Sequence, residues 1–342
     1  MSRLVIGSRA ELVAALRKQR ATPERAERVR ALLEEMFLDA LFLVAQFPGR
    51  QIAEADKCCY AYDVRLCVGL CRATWAEEAF WSGLVRVRAG PTKVTRLMYA
   101  AALGDAARVA WLLARGAPRD AKDVTGATAL YWASVVGHGD AVRVLFAAGA
   151  NVDAGNHNGT TPLFIAAQLG HTDTMRALLF AGANIDTMPL YIAAQEGHAD
   201  AVRVLIAAGA NVDAARDDGA TPLYAAAQNG HTNAMRVLLM AGASANVASN
   251  DGRTPLFIAA CEGNADAVRL LLAAGANVEA AATDVGGWRP LHAASHFEHV
   301  AAATLLLDSG ADVNALADDG SSPLDHAETP AMRALLAAHG GE

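Results

Sequence analysis

From about residue 95 onward the apolar residues come in two short helical bursts per cycle, with glycines closing each burst. One cycle reads Thr160-Thr161-Pro162-Leu163-Phe164-Ile165-Ala166-Ala167-Gln168-Leu169-Gly170-His171. Thr161 is placed to cap a helix, and Pro162 takes its first position, where a missing N–H is harmless. Leu163, Ala166 and Ala167 share the inward side, and the small alanines let a neighbouring helix come close. Gly170 ends the burst, because glycine takes a left-handed conformation without strain. A second burst through Met175, Leu178 and Leu179 stops at Gly182. Both leucines are expected to fill the contact with the next cycle. Asn158-Gly159, Asp218-Gly219, Asp251-Gly252 and Asp319-Gly320 then mark tight turns between cycles.

The cycle is regular enough to count. Its prolines stand at Pro162, Pro189, Pro222, Pro255, Pro290 and Pro323, with steps of 27, 33, 33, 35 and 33 residues. Ala129 and Arg96 hold the same frame further upstream. A unit this small cannot bury its own apolar face and has to stack on its neighbours. The period and the Thr-Pro-Leu-aromatic-x-Ala-Ala motif make the chain similar to ankyrin-repeat proteins from Thr95 to its end. The resemblance implies an all-α solenoid of helix-turn-helix repeats joined by hairpin fingers. Residues 92–342 are read as seven repeats plus a truncated C-terminal capping repeat that starts at Ser322.

Two steps break the period. Between Gly182 and Pro189 six residues of the finger are missing, so one finger near the middle of the array is expected to be clipped. The finger Ala281–Trp288 is two residues longer than the others and carries a tryptophan.

Residues 1–91 read as a separate small helical domain. Ser8-Arg9-Ala10-Glu11 is a capping box, Thr22-Pro23-Glu24 opens a longer helix, and Ala89-Gly90-Pro91 marks a boundary. Met98, Leu103 and Trp111 of the first repeat are apolar where an end repeat should be polar, so this domain is expected to cover them as an N-terminal cap. The segment Cys71–Leu84 is similar to the C-terminal half of an F-box. That resemblance implies binding of a Skp1-like adaptor of a ubiquitin ligase, with the repeats as the substrate arm.

Charge and composition narrow the partners. The net charge is −7 over 342 residues, with the acidic excess in the repeats. Counterion release needs clustered cations, so a nucleic-acid partner is not expected. The column Arg143, Arg176, Arg203, Arg236 and Arg269 mostly follows an aspartate three residues earlier, which reads as ion pairs on a solvated face. The longest apolar run, Phe37 to Phe47, contains Asp39 and is too short for a membrane span. With no signal-peptide core and five cysteines, a cytoplasmic or nuclear monomer is expected.

Candidate chemistry is sparse. Cys58, Cys59, Cys67 and Cys71 lack the spacing of a zinc site and read as buried thiols. The histidines His138, His171, His198 and His231 recur in a line, which is a structural pattern and not a converging metal site. Cys261 and His296 share a register in adjacent repeats, the one arrangement that suggests a cysteine-dependent enzyme. Such a pair needs an orienting third group and an oxyanion hole; Glu262 and Asn229 are nearby in register, but no nucleophile elbow or helix N-terminus aims at this spot. No cofactor is implied.

The same register is more informative as a binding surface. It reads Val135, Gln168, Gln195, Gln228, Cys261 and His296, and the following position reads Val136, Leu169, Glu196, Asn229, Glu262 and Phe297. The resemblance places these positions on the concave recognition face of a non-enzymatic protein-interaction module. Glutamine amides both donate and accept, which suits a peptide main chain. Trp288 and Phe297 are anchor residue types. Trp288 either projects as such an anchor or folds down onto the adjacent finger.

Overall fold

The computed structural model describes residues 93–342, and within them Val94–Glu342 forms one compact unit. The readings that fall on residues 1–91, namely the helical domain, its capping role, the four cysteines and the F-box-like segment, lie outside the described residues.

Seven antiparallel helix pairs follow one another in chain order. They are α1 (Arg96–Ala102) with α2 (Ala106–Ala114), α3 (Ala129–Val136) with α4 (Gly139–Ala147), and α5 (Pro162–Gln168) with α6 (Thr172–Phe180). Next come α7 (Thr187–Gln195) with α8 (Ala199–Ala207), then α9 (Pro222–Gln228) with α10 (Thr232–Met240). The last pairs are α11 (Pro255–Cys261) with α12 (Ala265–Ala273) and α13 (Pro290–His296) with α14 (Val300–Asp308), and α15 (Pro330–Ala338) closes the chain. First helices pack on first helices and second on second, repeat by repeat.

The local signals in the sequence account for the helix starts. The hydroxyls of Thr128, Thr161, Thr221 and Thr254 each accept the N–H three residues on, at 3.2–3.3 Å. In α7 the cap moves. Asp186 takes it, accepting the Met188 N–H at 3.0 Å, and Pro189 falls in the third helical position instead of the first. The reason is the clipped connection, which leaves Asp186 where a finger would begin.

Inside the stack, Leu163, Leu190, Leu223 and Leu256 of the first helices are buried, as are Leu145, Leu178, Leu205, Leu238 and Leu271 of the second. Each such burial stabilises by about 1.5–3 kcal/mol. Leu178 is fully buried, but Leu179 is only half-buried, which corrects the expectation that both fill the interface. On the outer face Arg143, Arg176 and Arg269 pair with Asp140, Asp173 and Asp266 at 2.6–3.0 Å, and Arg203 pairs with Asp200. All are more than half exposed, so Arg176→Ala should cost under ~1 kcal/mol in a urea titration.

The histidine line braces neighbouring repeats. Nε2 of His171, His198 and His299 lies 3.1, 3.0 and 2.9 Å from the carbonyl oxygens of Val135, Gln168 and Cys261, each in the preceding repeat. Asn264 does the same with its amide, reaching Ala227 and Gln228. The approach is so close that a Cβ on Gly170 would stand 2.8 Å from the His198 ring. In the seventh repeat that glycine position is held by Glu298, at φ 61°. Its carboxylate accepts the N–H groups of Glu328 and Thr329, at 2.5 and 3.0 Å, and the Thr329 hydroxyl, tying the start of α15 back to repeat seven.

One expectation, at the C-terminal end, is corrected. Pro323 does not open a helix: Pro323–His326 is a turn, pinned where Asp325 accepts the Ser322 N–H and hydroxyl at 2.8 Å. At the other end Met98 and Leu103 are buried, but Trp111 is 49% exposed, with the Arg115 guanidinium 3.7 Å above its ring. Arg115 lies four residues after Trp111 and stacks on it from the same helix face.

Candidate protein-binding face

The register noted in the sequence sits at the C-terminal ends of the first helices. Gln168, Gln195, Gln228, Cys261 and His296 are the last helical residues of α5, α7, α9, α11 and α13. Leu169, Glu196, Asn229, Glu262 and Phe297 are their C-caps. His198, Asn264 and His299 hold the carbonyls of Gln168, Gln228 and Cys261, so the side chains form a rail with one pair per repeat. Gln168, Gln195 and Glu196 are half-buried, while Gln228, Asn229, Glu262, His296 and Phe297 are exposed. Asn229 is partly committed, since its amide donates to the Ala225 carbonyl at 3.0 Å. At the opposite end Val135 is buried, which removes it from the surface.

The C-terminal end of the rail is the most structured. Trp288 is not at a finger tip. It pairs with Ala282 across the finger, where the Ala282 N–H donates to the Trp288 carbonyl at 2.8 Å. The indole folds down onto the cluster of Phe257, Ala282 and Ala293, which Cys261 and Val285 also join. Its ring centroid lies 4.5 Å from His326, 5.1 Å from His296 and 6.4 Å from His292. Phe297 meets the His296 ring edge-on at 4.9 Å and is 50% exposed. The structure therefore brings Trp288, His296 and Phe297 together, with Trp288 underneath and Phe297 as the exposed ring.

His326 was not visible as part of this group in the sequence. It joins because the last unit lacks its first helix, so the Pro323–His326 turn lies against Trp288. The Ser321 hydroxyl donates to Asp319 at 2.6 Å and lies 2.9 Å from His326 Nε2. His292 is buried. Its Nδ1 accepts the Arg289 N–H at 3.2 Å and its Nε2 faces the Ser321 carbonyl at 3.3 Å. Burial pushes its pKa below the usual imidazole range, so it is neutral at pH 7.

The surroundings of Cys261 disfavour its thiolate. Burial pushes the Cys261 thiol up to about 11, against the pull of Arg253, whereas a nucleophile needs the thiolate. At pH 8, iodoacetamide labelling of Cys261, followed by peptide mapping, should be slow in the folded chain and should accelerate as the pH is raised through about 11. Rapid labelling at pH 8 would contradict this environment.

A stack of near-identical helix pairs with an ordered rail of side chains defines a repeat scaffold. The family described as ankyrin repeats (3 copies) matches residues 97–189, 182–249 and 239–317, and the chain belongs to the ankyrin-repeat family. Ankyrin repeats are in general protein–protein interaction modules. No curated protein matches the chain. Among the described residues no helix is long and apolar enough to cross a membrane.

Proposed function

We propose that this chain is a non-enzymatic interaction module whose protein partner is held at the C-terminal end of the first-helix rail. The observation that carries this is Phe297, a half-exposed aromatic ring held edge-on by His296 above the folded-down Trp288. Aromatic anchors on a supported base dominate interface energies. Glu262 and the amides of Gln228 and Gln195 extend the surface toward the middle of the array. The favoured partner segment carries an apolar side chain beside a basic one. The F-box-like adaptor reading rests wholly on residues 1–91, and nothing in the described residues adds to it.

The test is affinity capture with the full chain, run in parallel with a His296→Ala/Phe297→Ala double variant. Proteins retained by the wild type should be lost from the variant, with the affinity of a purified partner falling roughly thirtyfold or more. The unfolding midpoint should stay unchanged, since both side chains are exposed. A captured set that ignores the double variant but responds to Gln168→Ala would move the contact elsewhere on the rail.

A further inference from the structure

Neighbouring fingers in this array are joined tip to tip. The second residue of each four-residue turn donates its N–H to the third residue of the finger before. His157 donates to Thr125 at 2.8 Å, Asn250 to Asp218 at 2.9 Å and Asp318 to Gly286 at 2.8 Å. Thr283 reaches Asp251 in the same way at 3.0 Å. The chain of bonds is broken once, at the clipped connection after Gly182, where Asp186 has turned to capping α7.

The break leaves a matched donor and acceptor on its two sides. On one wall the turn 156–159 is closed by the Gly159 N–H on Asn156, and its third residue, Asn158, offers a carbonyl that makes no bond among the described residues. On the other wall the turn 216–219 is closed by Gly219 on Arg216, and its second residue, Asp217, offers an N–H that makes no bond among the described residues. Both residues are exposed. Fingers one repeat apart touch, so fingers two repeats apart leave room for one hairpin. Met188, 38% exposed, lies at the foot of this gap, where Thr161 and Thr221 stand in the flanking repeats.

We propose that the gap is a docking slot for a β-hairpin loop of a partner protein, which completes the finger series by pairing with Asn158 on one side and Asp217 on the other. Pairing of an added extended segment with free main-chain groups is a general mode of recognition. Charge selects the loop. Asp217 lines one wall and Asp186 the foot, while Arg216 is folded back over the Tyr191 ring at 4.8 Å, bonded to its hydroxyl at 3.2 Å and paired with Asp218 at 3.5 Å, which leaves Asp217 as the uncompensated charge of that wall. A loop flanked by lysine or arginine fits this wall. The slot is separate from the Trp288 end of the rail.

The probe is a cyclised hairpin peptide with the turn sequence Asn-His-Asn-Gly-Thr of residues 156–160, made once with flanking lysines and once with flanking glutamates. The lysine form should bind the full chain in calorimetry, roughly tenfold or more tightly than the glutamate form, and should slow amide exchange at Asp217. Inserting a copy of residues 154–159 between Asp186 and Thr187 restores the 33-residue step and fills the slot, so binding should be lost. Asp217→Pro removes the donor at a turn position that proline favours, and should weaken binding by roughly tenfold without disturbing the finger. Phe297→Ala should leave peptide binding intact, which separates this slot from the site proposed above. No binding at millimolar peptide, or equal binding by the finger-restored chain, would overturn the proposal.

Discussion

Leu178→Ala should lower the unfolding free energy by ~2–5 kcal/mol, whereas Leu179→Ala should cost roughly 1 kcal/mol, both read from urea titrations of the full chain. Leu178 is fully enclosed between the third repeat and its neighbours, and α6 packs on both α4 and α8. A cavity there weakens two interfaces together. In a stack whose stability is a sum of unit and interface contributions, that loss uncouples the ends of the array. The titration should therefore broaden as well as shift. Equal costs at the two leucines would show that the inward side of α6 is assigned wrongly.

Trp288→Ala should be the second large effect, at ~2–4 kcal/mol, because the indole is packed on Phe257, Ala282 and Ala293 and supports three histidine rings. Amide exchange should rise across residues 282–297 and around Ser321–His326, the segments it holds together. Partner binding should fall with it, but indirectly, since Phe297 loses its base. The contrast with Phe297→Ala is the check. Removing the exposed ring should weaken binding alone, and removing the half-buried indole should weaken both. A Trp288 variant of unchanged stability would mean the indole is a free anchor after all.

What could be read from the sequence was whatever is decided within a few residues. Thr161 before Pro162 sets a helix start through bonds inside one turn, and the position of the rail follows from counting along each first helix. The Arg176–Asp173 type of pair is equally local. Choices made by distant neighbours were not legible. Leu178 and Leu179 differ by about 100° around the helix, and a leucine pair carries no sign of which one faces inward. Asp186 as a cap depends on the finger being absent, and a search for threonine before proline passes over it. The descent of Trp288 and the arrival of His326 depend on the last unit having a turn in place of a helix. The aromatic end of the face was therefore located by residue type, but its supporting arrangement was not.

Glu298 bears on how such arrays grow. A new copy of a histidine-bearing repeat placed after the seventh would bring its ring against this position, as His198 stands against Gly170. A side chain with a Cβ at φ 61° fills the space that ring would need. The residue that fastens α15 therefore also bars an eighth full repeat. Grafting a further copy of residues 221–253, which carries His231 at the bracing position, after Ser321 should give a misassembled end unless Glu298→Gly is made at the same time. The length of this array is thus written into one side chain.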